Sequence, residues 1–296
     1  MKRTLLVVIG GILLFFPETC RHNAQKKSAV LFLFASFCAL TQAVEPEIIT
    51  LREGSDGSSV LSQYGTNFGF FMPETGGYFY TGLIVGDESI WLHEAKKCKI
   101  DKQKKGWIVS VSDPKLGKGK LVMHVLPLMS SNGLIIELSG ENLPEGLQFL
   151  WGYGGCSAKT DASEKTAFFQ PEQCKDNVFS RGNNSFTVYF GPNVGLRVMM
   201  GVAPPETQTR LSDARKMNSP LEFLNSGKKT DAPAISAVNQ IKSGERYYYC
   251  IYRQNQLADY NYYMLPSVFQ KELNTKTNQI NEKARSHTGF GPDFNK

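Results

Sequence analysis

The stretch "GKLVMHVLPLMSSNGLIIELSG" (residues 119–140) decides the fold class, because it contains two apolar runs separated by turn residues. Residues 121–126 read LVMHVL, so both sets of alternate side chains are largely apolar. Alternate side chains of a strand point to opposite faces, so this strand would be apolar on both faces. A strand of this kind belongs where sheets stack. The segment "MSSNG" (129–133) supplies the turn that leads to the next run.

The same kind of pattern extends outward over residues 47–253, as short alternating or apolar runs divided by turn residues. In "NSFTVYFG" (184–191), Phe186, Val188 and Phe190 share one face and polar or amphipathic residues take the other. Strands with one wet face are typical of antiparallel sheets, and turn signals every 8–12 residues are typical of a sandwich. No helix-period segment lies between the runs. The sequence therefore predicts an all-β fold, a large two-sheet and mainly antiparallel sandwich.

The end of the chain changes period. Phe269, Leu273, Ile280 and Ala284 are spaced by four, seven and four residues, which places them on one stripe of a helix. The opposite side carries Lys, Glu, Asn and Gln. We therefore predict one C-terminal helix over residues 266–285, with an apolar side that must lie on another surface.

The first 43 residues have the features of a targeting region. Two apolar cores, at residues 5–16 and 29–40, each follow basic residues, and the second ends in "TQA" before Val44. This is the pattern of a secretory signal with its cleavage site. Each core is about twelve residues long, shorter than the roughly 20 that a membrane-spanning helix needs. We expect an exported protein without a membrane span after cleavage. The tandem signals are explained either by a start assigned too far upstream or by a first segment kept as an anchor.

The charge of the chain argues against a nucleic-acid partner. The formal net charge is +6, but without residues 1–43 the chain has 28 basic and 26 acidic residues. A chain so close to neutral lacks the excess of positive charge by which proteins bind nucleic acid. The basic stretch "EAKKCKIDKQKKG" (94–106) is interpreted as a solvated hairpin loop and not as a binding patch.

Cysteine spacing argues against a metal site. Cys98, Cys156, Cys174 and Cys250 remain after the targeting region, and no two are close enough to form a CxxC motif. Export would allow oxidation. A disulfide between Cys156 and Cys174, which a single loop separates, is one prediction, and buried free thiols are the alternative.

Motifs for catalysis or cofactor binding are missing from the sequence. It has no Gly-x-Ser-x-Gly elbow and no phosphate-binding glycine loop, so no cofactor is expected. The histidines lack metal-ligand spacing. A glycosidase needs two carboxylates that face each other, and Glu94 and Glu172 in predicted loops are the acids that an autonomous enzyme could use.

Aromatic residues offer a second kind of site. Trp91, Trp151 and Tyr153 could stack on sugar rings, and they are the candidate carbohydrate contacts. The alternative is that they fill the core of the sandwich, where aromatic side chains supply much of the buried area.

Six stretches carry a resemblance to a known family. They are "YGTNFGFFMPETGG" (64–77), residues 119–159, "FFQPEQCKDNVFS" (168–180), "SFTVYFG" (185–191), "GVAPPETQTRLSDA" (201–214) and "SPLEFLNS" (219–226). Together they resemble the N-terminal β-sandwich module of uncharacterised secreted Bacteroidetes proteins that are interpreted as six-hairpin glycoside hydrolases. In that architecture a β-supersandwich is followed by a linker helix and an (α/α)6 toroid with the catalytic carboxylates.

The resemblance implies a division into a signal region (1–43), a β-supersandwich (44–264) and a linker helix with a truncated tail (265–296). It implies no catalytic residue in this chain and a partnership with an absent (α/α)6 domain. The leading hypothesis is a non-catalytic module of a secreted glycan-degrading enzyme. The alternative is a stand-alone protein of the periplasm or cell surface that binds poly- or oligosaccharides. A truncated reading frame, an isolated module and an independent descendant all remain compatible with the sequence.

Overall fold

The computed structural model describes most of residues 48–275, together with two short strands nearer the N-terminus. The ranges that it does not describe are 1–5, 10–11, 16–47, 54–58, 64, 73–74, 104–105, 130, 158–170, 176, 191–197, 228 and 276–296. The chain divides into two compact units, Met1–Pro46 and Glu47–Lys296.

The first unit contains a small hairpin. Strands β1 (Leu6–Ile9) and β2 (Ile12–Phe15) pair antiparallel, with Leu6 opposite Phe15. Most of the predicted targeting region, including its cleavage site, lies outside the described residues. In the part of the chain that is described, no helix is long and apolar enough to cross a membrane.

The second unit is built from two sheets whose neighbouring strands all pair antiparallel, which confirms the predicted fold class. Sheet 1 has, in spatial order, β16 (Gln208–Asp213), β17 (Pro233–Gln240), β12 (Gln148–Ser157), β6 (Thr75–Val85), β5 (Asn67–Met72), β4 (Ser59–Gln63) and β3 (Ile48–Glu53), and β7 (Glu88–Trp91) also pairs with β6. Sheet 2 has, in spatial order, β13 (Asn177–Arg181), β14 (Ser185–Phe190), β15 (Met199–Val202), β18 (Arg246–Arg253), β11 (Gly133–Glu141), β10 (Lys120–Leu128), β9 (Gly106–Ser112) and β8 (Lys97–Gln103).

Aromatic side chains fill the space between the sheets. Phe149 of sheet 1 packs against Tyr249 of sheet 2, with ring centroids 5.1 Å apart. Trp151 stacks on Phe79 at 5.7 Å and also contacts Phe186 of sheet 2 at 5.7 Å. All five belong to one buried cluster, so the two inner faces form a single core.

Residues 119–140 form two adjacent inner strands of sheet 2. Strands β10 and β11 pair in continuous register from Lys120 opposite Glu141 to Leu128 opposite Gly133. The inward residues of β10, such as Val125, lie in the core between the sheets. The outward residues of β10, such as Leu126, lie in a second cluster beneath the terminal helix. The strand is therefore apolar on both faces because a sheet covers one face and a helix covers the other.

The basic stretch 94–106 corrects one prediction. Residues Lys97–Gln103 are not a loop but the edge strand β8, which pairs with β9 over its whole length. Most of its side chains are exposed, as predicted. Lysines on an edge strand hinder pairing with other chains, and a strand of this kind lacks the apolar alternation by which strands are recognised in sequence.

A short helix, Pro220–Leu224, covers the outer face of sheet 1, and the sequence pattern does not reveal it because five residues show no periodicity. Ser219 caps it by accepting a hydrogen bond from the Glu222 backbone N–H at 3.1 Å. Gly152 of β12 permits the close approach, because a Cβ at this position would lie 2.5 Å from the ring of Phe223.

Candidate functional site

The terminal helix packs on the outer side of sheet 2. Residues 265–275 are helical, directly after the 3₁₀ turn Tyr262–Met264. The helix buries Leu265, Val268, Phe269 and Glu272, which follow the i, i+3, i+4, i+7 spacing of one helical face. This confirms the predicted stripe at Phe269, and Leu273 packs partly buried beside it. Ile280 and Ala284 lie outside the described residues.

The surface beneath the helix, here called the docking face, belongs to the outer side of sheet 2. It combines buried side chains from four strands and one following loop, namely Leu126 and Leu128 of β10, Ile135 of β11, Val202 of β15, Tyr248, Cys250 and Tyr252 of β18, and Ala258. Because these strands are neighbours in the sheet, their outward residues form one continuous apolar surface.

Phe269 sits at the centre of this contact and is 1% exposed. Its ring lies 5.2 Å from the imidazole of His124 at an interplanar angle of 80°, and 5.9 Å from the ring of Tyr248 at 63°. Both are edge-to-face arrangements, which aromatic pairs prefer. One helical side chain thus contacts two strands of the sheet.

A row of polar side chains crosses sheet 2 beneath Phe269. His124, Glu137 and Tyr248 are directly opposite one another on three adjacent strands. The Tyr248 hydroxyl donates to Glu137 Oε2 at 2.7 Å, and Arg246 Nη1 donates to the same oxygen at 3.1 Å. Burial, and then the hydrogen bond to Glu137, raises the pKa of Tyr248 to about 12.

Glu272 adds a polar contact to the docked side of the helix. Glu272 is 2% exposed, and its Oε2 accepts a hydrogen bond from the Met129 backbone N–H at 3.2 Å. Met129 lies in the turn between β10 and β11, so the helix is joined to that turn by a polar contact as well as by apolar packing. Sequence reasoning missed Glu272, although its position three residues after Phe269 places it on the apolar stripe.

The segment before the helix is held by tyrosines. The Tyr260 backbone N–H donates to the Tyr252 hydroxyl at 2.9 Å, and the two rings have centroids 4.7 Å apart. Burial raises the pKa of Tyr252 above its ordinary range. The chain therefore leaves β18 and enters the helix along a defined path.

Within the described ranges, no group of three His, Cys, Asp or Glu side chains could hold a metal ion. Glu94 and Glu172 lie exposed in separate surface turns, at Leu92–Glu94 and Pro171–Cys174.

The candidate sugar contacts are not at the surface. Trp91, Trp151 and Tyr153 are each 1% exposed. Trp91 Nε1 donates to the Met217 carbonyl at 2.8 Å, and the Tyr153 hydroxyl donates to the Gly76 carbonyl at 3.3 Å. All three residues lie in packed clusters, so the alternative interpretation as core residues fits their placement.

Exposed aromatic residues occur elsewhere. Tyr263, before the terminal helix, is 80% exposed, and Tyr189 of β14 is 49% exposed. Tyr189 lies opposite Val178, which is also exposed. The alternation of residues 184–191 places Tyr189 on the solvent-exposed face of its strand, and this pattern was the sequence signal for its exposure.

The predicted disulfide stays a prediction. Cys174 is buried at the end of the turn Pro171–Cys174, which packs against β12, the strand that carries Cys156. The side chain of Cys156 lies outside the described part of the chain.

Comparison with known proteins gives a family and a fold. A family model described as "Domain of unknown function (DUF4450)" matches residues 72–272, more than half of the chain. A solved structure of a bacterial glucoamylase complexed with acarbose is similar, with a TM-score of 0.52 and 11% sequence identity. The similarity covers 80% of this chain and 38% of the glucoamylase chain, so this chain spans well under half of that protein. No curated protein matches the chain significantly.

Proposed function

The chain belongs to the DUF4450 family, and we propose that its sandwich is a non-catalytic module of a secreted glycan-degrading enzyme of the glycoside-hydrolase type. In this proposal the sandwich supports an (α/α)6 catalytic domain that lies outside residues 1–296. The terminal helix is the linker that joins the two.

The observation that carries the proposal is the shared fold with the glucoamylase. Four fifths of this chain align with little more than a third of that chain. The sandwich is therefore equivalent to only a part of the longer protein. That glucoamylase is complexed with acarbose. In our proposal this chain is the supporting domain of an enzyme that also acts on saccharides.

The docking of the terminal helix supports a linker role. Phe269 and Glu272 bind the helix to sheet 2 through an apolar and a polar contact, so its direction is set by the sheet. A fixed helix would hold a following domain in a defined orientation, which a flexible linker would not do.

Export is part of the same proposal. The pattern of residues 1–43 supports cleavage before Val44 and a location in the periplasm or at the cell surface. Mass spectrometry of the exported protein would find an N-terminus at Val44, and an N-terminus before Lys26 would contradict the proposed cleavage.

The function is tested by reconstitution. An (α/α)6 domain encoded in the same genomic neighbourhood is assayed on a panel of poly- and oligosaccharides, alone and with residues 44–296. We expect residues 44–296 alone to release no reducing sugar, and the catalytic domain to be more active and more thermostable with them.

Two outcomes would contradict the proposal. Hydrolysis by the isolated chain that disappears in Glu94→Gln or Glu172→Gln would indicate an autonomous enzyme. Glycan-array binding by the isolated chain, with no effect of the chain on any (α/α)6 domain, would indicate an independent carbohydrate-binding protein.

A further inference from the structure

A shallow depression of about 310 Å³ lies on the outer face of sheet 2, at the edge formed by β8, β9 and β10. Its lining residues are Lys97, Cys98, Lys99 and Asp101 of β8, Ile108, Ser110 and Ser112 of β9, and Lys120 of β10. Its volume lies at the lower end of the range of small-ligand sites, which is about 300–1,000 Å³.

Three ammonium groups dominate its charge. Among the described residues, Lys97, Lys99 and Lys120 have no carboxylate within ion-pair distance. Lys115 and Lys216, by contrast, form ion pairs with Glu88 and Glu222. Like charges gathered on one face of a sheet repel one another, so the depression favours an anionic occupant.

The acids near the depression do not balance these lysines. Asp101 lines the depression and accepts a hydrogen bond from Gln103 Nε2 at 3.3 Å. Glu141 lies opposite Lys120 in the neighbouring strand. Asp101 is thus the one carboxylate against three lysines in the lining itself.

The uncharged groups add a second kind of recognition. Lys97 is directly opposite Ser112, and Lys99 is directly opposite Ser110, so each of these lysines of β8 has a serine of β9 as its cross-strand neighbour. Ile108 supplies an apolar surface beside them. Hydroxyl groups, one carboxylate and an apolar patch suit a polyhydroxylated ring, and the lysines suit an anionic substituent on it.

We propose, against the interpretation of residues 94–106 from the sequence, that this depression is a binding site for an acidic saccharide, that is, a sugar bearing a carboxylate or a sulfate group. The inference rests on the proposed function for its glycan context. It specifies that the glycan is anionic and that its binding site lies on the sandwich itself. The depression adjoins the terminal helix, because Ile108 of its lining lies directly opposite His124, whose imidazole packs against Phe269. A bound saccharide would therefore lie beside the linker helix.

The test is calorimetric titration of residues 44–296 at physiological ionic strength, where long-range attraction between charges is screened. The probes are trigalacturonate, a sulfated disaccharide and maltotriose. We expect binding of trigalacturonate, of the sulfated disaccharide or of both, and at least tenfold weaker binding of maltotriose. The two acidic probes show which anionic group the site takes.

Variants locate the binding. Lys97→Ala combined with Lys99→Ala should weaken binding of the acidic probe at least tenfold, and the two Lys→Arg changes should retain it. A matched control is Lys102→Ala combined with Lys242→Ala, which removes the same charge outside the lining of the depression and should leave affinity unchanged.

Several results would overturn the inference. One is an affinity for maltotriose equal to that for the acidic probes, and another is an equal loss of affinity in the control variant. Equally tight binding of a short poly-glutamate peptide would indicate an acidic protein surface as the occupant. Failure of all saccharide probes would also overturn it. The reconstitution experiment above would still decide the proposed function, because it does not depend on this depression.

Discussion

The ring of Phe269 in the terminal helix packs edge-on against the ring of Tyr248 in β18, with centroids 5.9 Å apart. The hydroxyl of Tyr248 in turn donates to Glu137 of β11. An apolar contact and a hydrogen bond therefore meet on one tyrosine, which connects the helix to two strands of sheet 2. Four changes test how much the architecture depends on this and related contacts.

Phe269→Ala should undock the terminal helix. Removing a buried Phe side chain costs about 3–5 kcal/mol of unfolding free energy, because apolar contacts are lost and a cavity remains. Chemical unfolding of residues 44–296 measures the loss, and hydrogen exchange of residues 265–275 reports the docking. Lys271→Ala, at an exposed position of the same helix, is the control and should be near neutral. An unchanged unfolding free energy, with helix amides that exchange freely even in the wild type, would mean that the helix has no docking site.

Glu272→Ala should destabilise the protein by about 1–3 kcal/mol, because it leaves the Met129 N–H without its acceptor. Glu272→Gln retains an acceptor oxygen and should lose less. Thermal unfolding compares the two variants with Gln270→Ala, which changes an exposed neighbour. Equal melting temperatures for Glu272→Ala and Gln270→Ala would show that the buried carboxylate does not hold the turn.

Tyr248 should make the protein sensitive to alkaline pH. Its pKa is raised from 10.0 to about 12 in the folded state, so the unfolded chain releases this proton first. The contribution of Tyr248 to the free energy of unfolding is therefore fully present below about pH 10 and should fall as the pH rises toward 12. Tyr248→Phe removes this contribution, so the decline should become shallower, while Tyr247 and Tyr252, whose pKa values are also raised, still contribute. Melting temperatures measured across this window check the prediction, which fails if both proteins show the same slope.

Gly152→Ala should loosen the short helix on sheet 1. The added Cβ would lie 2.5 Å from the Phe223 ring, and overpacking of this kind costs about 1–3 kcal/mol. Phe223→Leu, combined with Gly152→Ala, should restore part of the loss relative to the sum of the single changes. A double-mutant cycle by chemical unfolding measures this coupling, and additive effects would contradict the proposed contact.

Local patterns were sufficient to predict most of the strands and the terminal helix. The alternation in residues 119–140 predicts β10 and β11, and the spacing of Phe269 and Leu273 predicts the terminal helix. These properties depend on where successive side chains point, which the backbone geometry of a strand or helix determines. Strand β8 and the helix Pro220–Leu224 were missed, because one carries mostly charged and polar residues and the other is too short to show a period.

An all-β sandwich with one amphipathic C-terminal helix is predictable from the amino-acid order alone, because periodicity is a local property of the chain. Which aromatic residues are buried and which charges converge depends instead on how distant segments pack together. Trp91 and Tyr189 are both aromatic residues of strands, yet one is 1% and the other 49% exposed, because the first is covered by the packing around Phe223. Likewise Lys97 and Lys120 are distant in sequence and line one depression because β9 pairs with both of their strands. Burial and convergence depend on which segments pack together, and no local pattern contains that information.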